Sequence, residues 1–60
     1  MTNIFDRIRD HAYNRVMDLE GQTTTEDVME YIGRSHSDFP EFEVACAEGC
    51  SAAFAELAEK

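Results

Sequence analysis

The stretch that decides the fold is Pro40–Lys60, PEFEVACAEGCSAAFAELAEK. Pro40 suits the first position of a helix, because its ring fixes φ at a helical value and the N–H it lacks would have no partner there. Glu41 and Glu43 then favour the positive end of the helix dipole. No further proline interrupts the segment, and alanines at 45, 47, 52, 53, 55 and 58 favour helix strongly. The pattern predicts one helix from Pro40 to Glu59. Gly49 is its local weakness, where a bend or a close helix contact is expected.

At 100° per residue, Phe42, Cys46, Ala53 and Leu57 form one apolar stripe, and Val44, Ala47, Cys50, Phe54 and Ala58 form a second beside it. Together they span roughly 200°, wider than the stripe of an ordinary surface helix. Two partners are therefore expected to cover this helix. In a monomer they are the two preceding helices, and Phe54 and Leu57 are then as buried as Ile8 and Ile32; in a homodimer a second copy takes one stripe. The remaining face carries Glu41, Glu48, Glu56 and Glu59, interrupted by Ala45 and Ala52, and is predicted to be wet and negative.

Working back from this segment, Ile4, Phe5, Ile8, Ala12, Val16 and Leu19 recur at three- and four-residue steps, which predicts an amphipathic helix from Asn3 to Glu20. Asn3 followed three residues later by Asp6 is a short capping signature, and Gly21 stands where a left-handed C-terminal cap is wanted. Arg15 falls inside the apolar arc, so its stem is expected to pack while its head reaches water. After Gly21–Thr23, Thr24 with Asp27 marks a second N-terminus. Val28, Met29, Tyr31 and Ile32 make one apolar side of a short helix over Thr25–Gly33, on which Glu30 and Arg34 are spaced to pair. Arg34 to Phe39 reads as a polar connection, anchored to the core by Phe39. The fold class is all-α: a small three-helix bundle, in one domain over residues 1–60, with the C-terminal helix as its candidate dimer face.

Composition narrows function. Thirteen acids against five bases give a formal net charge of -8 and a pI near 4.4, which opposes binding to a nucleic-acid backbone. The acidity is concentrated in residues 36–60, where six acids face one base. No secretory leader or membrane span is legible, and two cysteines are too few for a disulfide scaffold of this size. The expected location is cytoplasmic.

Cys46 and Cys50 lie four apart on one helical face, a geometry poorly suited to a disulfide. With His11 or His36 they offer sulfur and nitrogen ligands in principle. The loop-borne C-x-x-C spacing of structural zinc sites is absent, so they read as small buried hydrophobes, and no metal or cofactor is expected. Nothing in the sequence matches a motif for nucleophilic catalysis, phosphate cradling or dinucleotide binding, and no catalytic residue is assigned.

Thr24–Ser35, TTEDVMEYIGRS, resembles the first helix and turn of a helix-turn-helix unit. The resemblance covers about a dozen residues and implies a turn at Gly33. Beyond it stand Asp38, Pro40, Glu41 and Glu43 where a reading helix presents basic or amide side chains. The expected function is a non-catalytic, acidic protein-binding module. It acts as an inhibitor or regulator docking through Glu41, Glu48, Glu56 and Glu59 on a basic surface, or a nucleic-acid-binding groove, of a larger protein. A degenerate helix-turn-helix regulator and a small structural subunit are the alternatives.

Overall fold

In a computed structural model that describes residues 3–36 and 39–59, with backbone only for 34–36, three helices follow one another: α1 (Ile4–Asp18), α2 (Thr25–His36) and α3 (Phe42–Ala58). No strand occurs among the described residues. The radius of gyration is 10.7 Å, near the ~10.4 Å expected of a folded chain this long. The long contact is α1 against α3, and α2 lies across both with smaller contacts. This is a three-helix bundle.

The capping residues act as expected. Asn3 Oδ1 accepts from the Asp6 N–H at 2.9 Å, and Thr24 Oγ1 accepts from the Asp27 N–H at 3.2 Å, each giving a partner to an otherwise unpaired amide. α1 ends in a Schellman motif: the Gly21 N–H donates to the Val16 carbonyl at 3.0 Å and the Glu20 N–H donates to the Met17 carbonyl at 3.0 Å. Gly21 has φ +80° as its position suggested, but the left-handed stretch begins one residue earlier, at Glu20 with φ +54°. A side chain is tolerated there at a cost of ~1–2 kcal/mol.

Two boundaries differ from the sequence reading. α2 does not stop at Gly33 but continues to His36, so the expected loop from Arg34 is helical at its start and the helix-turn-helix turn is not formed. A single glycine weakens a helix by only ~1 kcal/mol, too little by itself to end one that tertiary packing holds. At the other boundary, Pro40 is not the first residue of α3. It sits in a turn closed by the Phe42 N–H donating to the Phe39 carbonyl at 3.1 Å, with Glu41 at φ -96°, ψ 16°. Proline suits the second position of such a turn for the same reason that it suits a helix start, so the sequence signal fits both.

The core is made of small side chains. Ile8, Ala12 and Val16 from α1, Val28 and Ile32 from α2, and Ala45, Cys46, Cys50 and Ala53 from α3 are buried. Burying an Ile or Val side chain contributes ~1.5–3 kcal/mol, so Ile8, Val16, Val28 and Ile32 supply the densest part of the stabilisation. Phe5, Tyr13, Phe39, Phe42, Phe54 and Leu57 pack around this centre half-buried. Phe54 and Leu57 are therefore less buried than Ile8 and Ile32, contrary to expectation. Tyr31, placed on the apolar side of α2, is 57% exposed instead, with the Arg15 guanidinium 4.0 Å from its ring centroid. The Arg15 stem packs and its charged head rests on an aromatic face.

At Gly49 the backbone of α1 comes close to α3. A Cβ placed there would meet the Arg9 carbonyl oxygen at 2.3 Å and Ala12 Cβ at 2.9 Å. The two backbones cross in direct contact, as the glycine had suggested.

Candidate binding face on helix α3

The side of α3 turned to α1 and α2 bears Ala45, Cys46, Gly49, Cys50 and Ala53, all buried. The opposite side is open. Val44 is 53% exposed, and Ala47, Ser51, Ala52, Ala55 and Ala58 are exposed with it. Val44, Ala47 and Ala58 were expected in the second stripe, covered by a preceding helix or by a second copy, and Ala45 on the wet face; within the single chain the first three are exposed and Ala45 is buried. The physical reason is that α3 is apolar nearly all round, so hydropathy gave its helical wheel no preferred side. Packing decided instead: only the side with Gly49 admits the α1 backbone.

Val44, Ala47, Glu48, Ser51, Ala52 and Ala55, all on α3, line a shallow, nearly flat trough open to solvent. Of the four glutamates assigned to the binding stripe, Glu48 stands in this trough. Glu59, the C-cap residue, keeps helical dihedrals at φ -80°, ψ -12°, and lies ~20° from Glu48 around the helix axis. Glu41 is exposed at the other end and borders a second depression, of about 410 Å³, with Asn3, Ile4, Phe5 and Phe39. Glu56 is set apart from the line. It lies ~80° from Glu48 around the axis, on the α1 side, and its carboxylate accepts a hydrogen bond from the Tyr13 hydroxyl. Glu48 and Glu59 thus share one side of α3 while standing ~16 Å apart along it, Glu41 lies at the margin, and the exposed Glu56 bonds within the chain.

The trough lies in a negative field. α3 and its two cap residues carry Glu41, Glu43, Glu48, Glu56 and Glu59 and no arginine or lysine. Bases are found on α1, where Arg9 pairs with Asp6 at 3.0 Å and Arg15 covers Tyr31. Neither of these two arginines is directed to a glutamate of α3. Of its apolar members, Val44 and Ala47 were expected in the stripe that a neighbouring helix or a second copy covers, Ala52 on the wet face, and Ala55 in neither set.

The thiols belong to the inner side. Cys46 and Cys50 are free and fully buried. Burial pushes the Cys46 thiol up from 9.0 to about 11, with the neighbouring Cys50 adding to the effect. The Cys50 thiol is also raised by burial, against an opposing hydrogen bond with Thr25. Both remain protonated at neutral pH, which makes them packing groups and poor nucleophiles. No group of three or more His, Cys, Asp or Glu side chains able to hold a metal occurs among the described residues; the side chain of His36 lies outside them. No helix among them is long and apolar enough to cross a membrane.

No protein-family model matches the chain, and it matches neither a curated protein nor a solved structure.

Proposed function

We propose that this chain is a non-catalytic acidic binding module that inhibits or regulates a larger protein by docking the outer face of α3 on a basic surface. The observation that carries the reading is the combination on one helix side: an exposed apolar row from Val44 to Ala55 with Glu48 among it and Glu59 in line. An apolar centre with a charged margin is the anatomy of protein interfaces, the centre holding and the margin orienting. Glu59 adds a second point, since an anion at the C-terminal end of a helix opposes the dipole and does not serve the helix itself. Two free thiols suit a reducing compartment, and the reading places the chain in the cytoplasm.

The test is co-purification from the native host with the wild-type chain, Glu48→Lys/Glu59→Lys and Val44→Asp. Both glutamates and Val44 are exposed, so the variants keep the fold. A specific partner should be held by the wild type at low salt, weakened by high salt, and lost from both variants. A partner retained equally by all three chains would remove α3 from the interface.

A further inference from the structure

The outer face of α3 also constrains the shape of what binds it, granted the docking reading above. We infer that the element seated on it is a basic amphipathic α-helix of another protein, lying along α3 and completing a four-helix arrangement. Val44, Ala47, Ser51 and Ala55 follow one another at three- and four-residue steps, a nearly straight line of ~17 Å along the helix. Side chains this small let a second helix axis approach to ~8 Å. On the opposite side of the same helix the α1 backbone comes still closer, but there a glycine, Gly49, makes the room. A strand has nothing to pair with here, because the backbone groups in the middle of α3 are used within the helix.

Charge identifies the occupant. A second copy in parallel register would set Glu48 against Glu48, and in antiparallel register about Ser51 it would bring Glu59 toward Glu43, with no base on either α3 to compensate. A foreign helix with lysine or arginine beside its apolar seam complements Glu48 and Glu59 instead. Area agrees. A stable standard interface takes ~800 Å² per partner. That is nearly a fifth of this chain's 4292 Å², and six trough residues, three of them alanine, supply only part of it. Charge attraction supplies what self-association through this face would lack.

The experiment titrates the full-length, isotope-labelled chain with two synthetic peptides of identical composition and follows backbone amide shifts. One peptide carries an alanine–leucine seam flanked by lysines in helical register. The other has the same residues scrambled so that no seam forms. The seamed peptide should bind at least tenfold more tightly, with shifts concentrated at Val44, Ala47, Ser51 and Ala55, and Glu48→Lys should weaken it several-fold. Equal binding by the two peptides would overturn the helix inference while leaving the acidic docking reading standing. Absence of binding by either overturns the inference too, and the co-purification variants then decide separately whether docking on α3 survives. Concentration-dependent dimerisation in sedimentation, abolished by Val44→Asp, would place a second copy on the face and also overturn it.

Discussion

On the inner side of α3, Ala45, Cys46, Gly49, Cys50 and Ala53 are buried under α1 and α2, whereas on the outer side Val44, Ala47, Ser51, Ala52 and Ala55 remain exposed. Both sides are built mainly of small residues, although the outer one also carries Glu48. What separates them is one missing side chain: at Gly49 the Arg9 carbonyl comes to 2.3 Å of where a Cβ would be, a distance no other residue type permits. Small residues on a helix mark where another helix can approach, and the glycine admits the α1 backbone here. The side left over carries small residues but no glycine, and it stays exposed within the chain.

The largest effect should follow from filling the inner contact. Gly49→Ala is expected to lower stability by ~2–3 kcal/mol, because the obstacle is the α1 backbone and cannot move aside as a side chain would. Ser51→Ala, two residues away on the outer side, should change stability by no more than ~0.5 kcal/mol. Urea denaturation followed by circular dichroism measures both. Equal losses would mean that the outer side is as tightly packed as the inner.

Next in size is the thiol packing of the inner side. Cys46→Ala removes a fully buried group and should cost ~1–2 kcal/mol, with no response to chelator. The raised thiol also sets a sign for alkali. Its proton is held more firmly in the folded chain than in the unfolded one, so its contribution to stability is complete below pH ~9 and is lost as pH rises toward the folded value of about 11. Melting temperatures between pH 8 and 11 should therefore fall more steeply for the wild type than for Cys46→Ala. Parallel curves would show that Cys46 is solvated.

The smallest effect has the opposite sign. Gly33 lies inside α2, and a Cβ there would meet the Phe42 ring at 3.6 Å, an ordinary contact. Gly33→Ala should raise stability by ~0.5–1 kcal/mol through helix propensity, readable as a higher urea midpoint. Loss of stability would show that α2 and α3 approach as closely as α1 and α3 do.

Much of this architecture was legible in the residues. The caps at Asn3 and Thr24 and the buried positions Ile8, Ala12, Val16, Val28 and Ile32 follow from side-chain chemistry and period alone. Gly49 announced the close crossing. The orientation of α3 was not legible, because a helix rich in alanine on every side gives periodicity no contrast; Ala45 and Val44 were exchanged for that reason. The bonding of Glu56 to Tyr13 depends on how α1 lies across α3, and a wheel drawn for one helix carries no such information. Pro40 was ambiguous because a helix start and a turn ask the same φ of proline.

In the proposed function the chain acts through the outer side of α3. The most direct measurement is site-specific photo-crosslinking in the native host, with the reactive residue at Ser51 in the trough or at Asn14, exposed on α1. One discrete adduct is expected from Ser51, lost in the Glu48→Lys background, and none of that mass from Asn14. An adduct formed from Asn14 alone, or one from Ser51 that is indifferent to Glu48→Lys, would contradict it.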